Sequence, residues 1–401
     1  MKRKVISFVF ALIMCMGLTM TVSAKTSVNI NGKEIKAPSG CEIVTDGVTV
    51  SDMIIVRQIK NSNSNAENIK YGVMNTDGTL VVPLIYDRIC EFSEGLAAVY
   101  ESTPYQYELP GTTVIVRDSI NKIGFIDKTG NLVIPMIYEQ IYSTTMIKSD
   151  DDTGIGHIKS PGFSEGLISV KKEGKWGVID KQGNTAIPFQ YDFPVIGSFH
   201  NGLASFVSGG KCGFINSSGE VVISPRYDSV DDFSDGYAIV ANNNPASQDG
   251  DYLYGAIDTQ GNLIVPIQYD YMSRFREGMA RVSDKPFGSG KYGFVNTSGN
   301  LIVPIQYTKA YSFFDGLAVV AVEDERFSEP VFQNRYGYID KQGNVVIPLE
   351  YSLAYSFSNG IGKACLNVPD HIGNNTSAKF DGKPEYVYFD TNGNKVTSQG
   401  N

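Results

Sequence analysis

One phrase recurs along almost the whole chain and restricts it to repeat architectures. Its fullest copy reads Lys175-Trp176-Gly177-Val178-Ile179-Asp180 and continues through Gly183 and Pro188 to Tyr191-Asp192. Copies centre on Gly72, Gly124, Gly177, Gly213, Gly255, Gly293 and Gly337, and a truncated copy covers residues 386–394. Their spacing of 36 to 53 residues indicates units that each form one supersecondary element and pack on their neighbours.

A second phrase alternates with the first. It reads Phe92-Ser93-Glu94-Gly95-Leu96-Ala97. Its phenylalanine recurs as Phe163, Phe199, Phe233, Phe275, Phe313 and Phe357, each with glycine three residues later. The spacing within each phrase is kept while the linkers vary in length. The repeat is therefore predicted to be a fixed structural unit that carries variable loops.

The residues of the two phrases predict an all-β chain of three-stranded antiparallel meanders. The runs around the Trp-Gly and Ile-Pro pairs are short and rich in β-branched and aromatic residues. Asp-x-x-Gly between them is typical of a bulged hairpin that a left-handed glycine closes. Proline is expected to end the second strand because it cannot donate to the ladder. About eight units result, arranged in a propeller-like ring of about 7–8 units or in an open curved array.

The first 24 residues have the pattern of a secretory signal peptide. Lys2, Arg3 and Lys4 precede an apolar run from Val5 to Leu18, and cleavage is expected after Ala24. A lead-in of residues 25–47 and a repeat domain of residues 48–397 are expected to follow. The mature chain is thus predicted to be secreted or extracellular, in association with a cell envelope, and to contain no transmembrane segment.

The acidic composition argues against a nucleic-acid partner. The formal net charge of −9 becomes −12 when residues 1–24 are removed, because they hold three basic residues and no acid. An acidic chain without a basic run lacks the electrostatic footprint of nucleic-acid binding. No cofactor is predicted, and the protein is expected to be a monomer. The four cysteines of the mature chain allow disulfides in three pairings, which the sequence leaves open: Cys41, Cys90, Cys212 and Cys365.

These motifs resemble the bacterial WG-containing (KWG) repeat. The likeness rests on Lys175-Trp176-Gly177, Asp180-x-x-Gly183, Ile187-Pro188-x-x-Tyr191-Asp192 and the phrase at residues 92–97, and it covers roughly residues 48–397. Tyr, Ile or Cys replaces the tryptophan in every copy but one. The resemblance implies a bacterial interaction or structural repeat and supplies no catalytic residues.

The predicted ligand contacts lie in insertions between the repeats. These insertions cover residues 100–121, 143–161, 242–252, 284–290, 323–334 and 367–384, and nearly all are expected at one edge of the assembly. Their aromatic residues are the candidates: Tyr100, Tyr105, Tyr107, Phe287, Phe327 and Phe332. The recurring positions are predicted to be structural instead: Trp176, Gly177, Asp180, Gly183, Pro188 and Tyr191.

Catalytic and metal-binding motifs are missing from the sequence. The three histidines, His157, His200 and His371, belong to no His-Glu-x-x-His motif, and neither Gly-x-Ser-x-Gly nor a phosphate loop occurs. Asp150-Asp151-Asp152 lacks the alternation of a calcium loop, so no metal site is predicted. The sequence favours a non-enzymatic binding or scaffolding protein of the bacterial envelope or its surroundings, with an unknown protein or a cell-wall glycan as partner. A secreted carbohydrate-active hydrolase that uses paired carboxylates is the alternative.

Overall fold

The computed structural model describes residues 25–30, 32–44, 52–59, 69–108, 115–141, 146–147, 157–158, 162–191, 196–247, 251–286, 290–323, 334–366 and 385–397. Within these ranges every regular element is a strand, which confirms the all-β prediction. The residues so described include no helix with the length and hydropathy needed to cross a membrane. The chain divides into two compact units, one ending at Gln140 and one beginning at Ile141.

The first unit holds a two-stranded hairpin followed by two four-stranded antiparallel sheets. The hairpin pairs Ser27–Ile30 with Lys33–Lys36. The first sheet has the order Cys41–Ile43, Met53–Gln58, Tyr71–Asn75 and Leu80–Tyr86, and the second Arg88–Ile89, Leu96–Glu108, Ile115–Asp127 and Leu132–Tyr138. Cys41–Ile43 falls within the predicted lead-in of residues 25–47, so the first sheet takes one strand from that segment.

Six further sheets, the third to the eighth, follow with the same strand order. The third consists of Gln140–Ile141, Leu167–Lys172, Lys175–Asp180 and Thr185–Tyr191; the fourth of Ile196–His200, Leu203–Ser208, Lys211–Asn216 and Val221–Tyr227; the fifth of Ser229–Val230, Tyr237–Asn243, Tyr252–Asp258 and Leu263–Tyr269. The sixth consists of Tyr271–Met272, Met279–Ser283, Tyr292–Asn296 and Leu301–Tyr307; the seventh of Lys309–Ala310, Leu317–Glu323, Asn334–Asp340 and Val345–Tyr351; the eighth of Leu353–Ser358, Ile361–Cys365, Tyr386–Phe389 and Lys395–Val396. A small hairpin, Met146–Ile147 with His157–Ile158, lies between strands of the third sheet in sequence.

Each sheet has four strands where the sequence predicted three. The additional strand is the first of its sheet and in most copies is only two residues long, as in Arg88–Ile89. A strand this short carries no periodic pattern, which is why the sequence did not reveal it.

The proline of each repeat lies inside the last strand and does not end it. Pro348 is the fourth of seven residues in Val345–Tyr351, with its side chain exposed. The last strand is an edge strand, so the missing N–H of proline leaves no ladder bond unmade, and register shifts in the pairing with the third strand accommodate the ring.

The glycine of the Trp-Gly pair allows the third and fourth strands to approach closely. A Cβ atom at Gly337 would lie 2.5 Å from the carbonyl oxygen of Ile347 and 2.7 Å from that of Pro348. The residue before this glycine pairs with the tyrosine that follows the proline, as Trp176 does with Tyr191 and Tyr336 with Tyr351. The two recurring aromatic positions of the first phrase are therefore partners across the third and fourth strands.

Apolar clusters join consecutive sheets within each unit. Between the sixth and seventh sheets, Met279 and Phe294 pack with Phe313 and Val320, all at most 6% exposed. Equivalent clusters join the first sheet to the second and each later pair from the third sheet to the eighth. The second and third strands are covered on both faces, as their continuous apolar runs predicted.

The Asp-x-x-Gly hairpin is held by the aspartate side chain. Oδ1 of Asp180 accepts backbone hydrogen bonds from Gln182 at 2.9 Å and Asn184 at 2.8 Å, and Gly183 takes a φ of 83°. Burial opposes ionisation, but hydrogen bonds from Asn184, Gln182 and Gly183 outweigh it and lower the pKa of Asp180. The predicted structural position is thus a turn that prefers the charged carboxylate.

We expect Asp180→Ala to lower the free energy of unfolding by about 1 kcal/mol, because two backbone donors lose their acceptor. Asp180→Asn is expected to change it by less than about 0.5 kcal/mol at neutral pH, since Asn75, Asn216 and Asn296 accept the same bonds in other copies. The folded pKa of Asp180 is lowered, so its contribution is present above the unfolded pKa of about 3.9 and is lost as the pH falls further. Urea denaturation at neutral pH and from about pH 5 to about pH 3 measures the free energy of unfolding of both proteins. Any excess of the wild-type value over that of Asp180→Asn should become smaller as the pH falls. An advantage that stays constant down to the lowest pH would contradict the role of the carboxylate charge.

Candidate functional site

Each Phe-x-x-Gly phrase forms a tight two-residue turn between the first and second strands of its sheet. In the sixth sheet the backbones of Arg276 and Met279 exchange hydrogen bonds of 2.9 and 3.0 Å around Glu277-Gly278. The two central residues have φ values of 50° and 82°, the geometry of a type I′ turn. A polar residue in the left-handed region precedes the glycine in the equivalent turns of other sheets: Glu94, Glu165, Asn201, Asp235, Asp315 and Asn359. Each of these turns thereby presents one carboxylate or amide side chain.

In the second unit these side chains connect one turn to the next. Glu165 accepts bonds from the N–H groups of Asn201 and Gly202 at 2.7 and 2.8 Å, and Oδ1 of Asn201 accepts one from Gly236 at 3.4 Å. Further along, Glu277 accepts from the N–H of Gly316 at 3.0 Å and Asp315 from that of Gly360 at 2.8 Å. We term this series of turn side chains and glycine N–H groups the turn ladder.

The turn ladder is interrupted between the fifth and sixth sheets. The repeat pattern would have Asp235 accept a bond from the N–H of Gly278, but among the residues that the structure describes neither group has such a bond, with the other or with a third group. Asp235 and Gly278 have φ values of 52° and 82°, like their counterparts, so the turns themselves are intact. The interruption leaves one carboxylate and one N–H free to meet a ligand.

A cavity of about 500 Å³ lies at this interruption. Its lining comes from the turns of the fifth, sixth and seventh sheets: Ser234, Asp235, Phe275, Arg276, Glu277, Phe314 and Asp315. We refer to it as the turn cavity. Because three turns contribute to it, its shape depends on the stacking of three consecutive sheets.

The lining of the turn cavity is acidic and partly aromatic. Three carboxylates and one guanidinium give a formal charge of −2. The guanidinium carbon of Arg276 lies 3.9 Å from the ring centroid of Phe314, and Nζ of Lys341 lies 3.2 Å from Oε2 of Glu277. The positive groups are thus held near the sixth and seventh turns, and no described residue forms an ion pair with the carboxylate of Asp235. The charge of the lining favours cations over anions.

Of the predicted ligand contacts, only Tyr100 has its side chain in the described part of the chain, and it is not among the residues that line the turn cavity. Tyr100 is only 8% exposed and packs within the first unit, with the guanidinium carbon of Arg88 5.3 Å from its ring centroid. Tyr105 and Tyr107 lie on the strand Leu96–Glu108, and their side chains fall outside the described part of the chain. Phe287, Phe327 and Phe332 also lie outside the described residues. The aromatic insertion site therefore stays a prediction.

The first insertion continues a sheet, although it was expected to be a loop. Strands Leu96–Glu108 and Ile115–Asp127 pair residue by residue from Leu96 with Asp127 to Glu108 with Ile115. In a meander, successive connections lie at opposite ends of the strands. The connection between the second and third strands is therefore at the end opposite to the type I′ turn, which joins the first and second strands. The predicted insertions and the turn cavity consequently lie at opposite ends of the strands in their sheets.

An ion pair joins two further recurring positions, the lysine that begins the first phrase and the aspartate that follows its tyrosine. Nζ of Lys211 lies 2.7 Å from Oδ1 of Asp228, whose other oxygen accepts the N–H of Asn243, and Lys70 pairs with Asp87 in the same way. In the fifth sheet Leu253 replaces the lysine. Burial, followed by the charges of Asp251 and Asp284, raises the pKa of Asp270. Asp270 thus differs electrostatically from its counterparts, at the insertion edge.

Among the described residues, the other candidate groups of the sequence analysis form no second site. The four cysteines among the described residues are free thiols, and burial raises the pKa of Cys90, which is 2% exposed. His200 is exposed near Asp232, and Asp150-Asp151-Asp152 and His371 fall outside the described residues. Within the part of the chain that the structure describes, no group of three potential metal ligands occurs.

The residues of the turn cavity were not among the sequence candidates. The phrase Phe-x-x-Gly was treated as purely structural because it recurs. A signal was nevertheless present. Serine follows the phenylalanine in four copies, as Ser93, Ser164, Ser234 and Ser358, whereas His200, Arg276 and Phe314 replace it, the last two in consecutive copies. Departures from a repeat mark individual function more clearly than the repeat itself.

Several solved structures are distantly similar to this chain. A eukaryotic initiation factor structure has 10% sequence identity and a TM-score of 0.31, over 87% of this chain and 96% of that chain. Pyrococcus horikoshii acylaminoacyl peptidase has 9% identity and a TM-score of 0.32, over 78% and 52% of the two chains. Citrobacter koseri AztD has 12% identity and a TM-score of 0.25, over 69% and 90%. At such TM-scores these similarities assign neither fold nor function.

No curated protein matches the sequence. The WG-containing repeat, in contrast, matches residues 71–101, 123–145, 161–176, 176–212, 213–244, 254–285, 292–325 and 336–367. Most of these matches begin in the third strand of one sheet and end near the second strand of the next, and they carry the glycine, hairpin and tyrosine positions described above. Because they cover more than half of the 401 residues, the chain belongs to the WG-containing repeat family.

Proposed function

We propose that this protein is an exported, non-enzymatic repeat protein that binds a protein or glycan partner of the bacterial envelope or its surroundings. The turn cavity is the observation that carries the binding function. A repeat that served only as a spacer would keep the same turn contact in each unit. Here the contact is absent between two sheets, and a charged cavity of about 500 Å³, a size typical of ligand sites, takes its place.

Export is supported by the basic residues Lys2, Arg3 and Lys4 and the apolar run from Val5 to Leu18. N-terminal sequencing of the protein recovered from producing cells is expected to begin at Lys25. Recovery only from the cytoplasm, with Met1 retained, would count against export.

A carbohydrate-active hydrolase is the second candidate, and Asp270 is the observation that favours it. Its raised pKa resembles that of a general acid. Asp270 occupies the same repeat position as Asp87 and Asp228, however, and both of those are held in ion pairs with lysine. A shift produced by the loss of one lysine at a structural position gives weaker support than the turn cavity gives to binding.

The proposed function predicts saturable, salt-resistant co-sedimentation of the purified protein with isolated cell-wall material or with an insoluble polysaccharide. The measurement compares the pelleted fraction at low and high salt, because non-specific charge attraction is screened by salt. Release of soluble sugar from the same pellets, measured in parallel, would support the hydrolase instead. Absence of pelleting with every material would contradict an envelope or glycan partner.

A further inference from the structure

We propose that the turn cavity binds a primary ammonium group on an aliphatic stem, with Asp235 as its anionic partner. This inference rests on the proposed binding function and specifies the chemistry of the ligand. The interruption of the turn ladder is the starting point. At the other steps of the second unit a side-chain oxygen and a glycine N–H satisfy each other, as Glu277 and Gly316 do at 3.0 Å.

At the interrupted step, the bond from the N–H of Gly278 is missing, and the acceptor that it would have reached is the charged carboxylate of Asp235. Asn201, Glu277 and Asp315 each accept a turn N–H, but the Asp235 carboxylate accepts none from the described residues. An exposed carboxylate in the lining of a cavity gains most from a charged donor, because charge-assisted hydrogen bonds are roughly twice as strong as neutral ones. An ammonium group supplies such a donor.

The walls of the turn cavity suit an aliphatic stem. Phe275, which lines the turn cavity, is 4% exposed and packs against Tyr237, whose ring centroid lies 4.8 Å away. Phe314 forms a second aromatic wall on which the Arg276 guanidinium already rests at 3.9 Å. Methylene groups that pack against these rings add apolar burial to the charge contact. An ammonium group bound directly to a sugar ring would lack this flexible stem.

Asp315 and Glu277 place further negative charge on the same lining. Each of them already accepts a backbone N–H, and Glu277 also has Lys341 at 3.2 Å. Their remaining charge raises the local concentration of cations. Asp235 is therefore the direct contact, and the other two carboxylates support it at longer range.

Two sources share this chemistry, namely the lysine side chain of a protein partner and a free aliphatic diamine. Isothermal titration calorimetry on the full chain tests both, with 1,5-diaminopentane and a short lysine-containing peptide as probes. The peptide with its lysine acetylated removes the charge at almost constant size. We expect both amines to bind saturably and the acetylated peptide not to bind. Tighter binding of the peptide would identify a protein source, and tighter binding of the diamine a free amine.

Asp235→Asn removes the proposed charge contact and is expected to weaken amine binding about tenfold. Asp231→Asn is the matched control, because it makes the same charge change four residues away at a side chain that lies outside the lining. It should change binding less than twofold. Circular dichroism of both variants verifies that the fold is kept.

Equal binding by wild type and Asp235→Asn, or binding of the acetylated peptide, would overturn the inference, as would no saturable amine binding at all. Co-sedimentation distinguishes this failure from failure of the proposed function. Retained pelleting of a protein that binds no amine would leave envelope binding intact and reject only the ammonium ligand.

Discussion

Replacing Gly337 with alanine is expected to lower the free energy of unfolding by about 3 kcal/mol, near the upper end of typical overpacking costs. The new methyl group would lie 2.5 Å from the carbonyl oxygen of Ile347 and 2.7 Å from that of Pro348. Both oxygens belong to the backbone of the fourth strand, so no side-chain rotation relieves the contact. The third and fourth strands must separate, which disturbs the pairing of Tyr336 with Tyr351. Chemical denaturation followed by circular dichroism measures the loss.

Gly236→Ala is the matched control for this substitution. The Gly236 position is also a glycine in every Phe-x-x-Gly phrase. Its φ, however, is 85°, and no heavy atom lies within 4 Å of a Cβ atom added there. The cost there is only that of a left-handed alanine, about 1–2 kcal/mol. If Gly236→Ala were as destabilising as Gly337→Ala, close strand approach would not be the reason for the glycine of the Trp-Gly pair.

The recurring positions were predictable because each has a local physical cause that repeats with it. Asp180 and Gly183 were predicted as a hairpin, and the structure shows the side-chain bonds and the left-handed glycine that this requires. The all-β fold followed from the same reasoning. Repetition supplied several independent copies of each signal, so local propensity and tertiary packing agree at these positions.

Features that depend on pairing within a sheet or on contacts between sheets could not be predicted from the sequence. The first strand of each sheet is defined by its pairing and not by its composition, since Arg88–Ile89 has no pattern of its own. Pro348 appeared to end a strand because its exposure at a sheet edge could not be inferred from the residue alone. The turn ladder joins residues that are 35 to 45 positions apart, such as Asn201 with Gly236 and Asp315 with Gly360. The absence of one such bond has no pattern of its own in the sequence, and only the replacement of serine by Arg276 and Phe314 in consecutive copies marks the place of the turn cavity.

Replacing Phe313 with alanine is expected to lower the free energy of unfolding by about 3–5 kcal/mol, as for other fully buried phenylalanines. Phe313 is 0% exposed, and its ring lies edge-on to that of Phe294 with centroids 5.0 Å apart. The cluster around it joins the sixth and seventh sheets, so the cavity left by alanine would weaken the contact between them. Thermal and chemical denaturation measure the effect, and retained stability would mean that this cluster does not hold the two sheets together.

The next residue provides a control that separates stability from binding. Phe314 is half-buried, lies under the Arg276 guanidinium and lines the turn cavity. Phe314→Ala is expected to cost only about 1 kcal/mol of stability, because the removed ring was partly in water, yet to weaken amine binding. Phe313→Ala should alter binding only in proportion to the unfolded fraction. Were the two variants to lose stability and binding in parallel, the turn cavity would be no more than a consequence of packing. Opposite responses of adjacent phenylalanines would show that one phrase of the repeat holds the sheets together with its first aromatic residue and provides a ligand surface with the residue that follows.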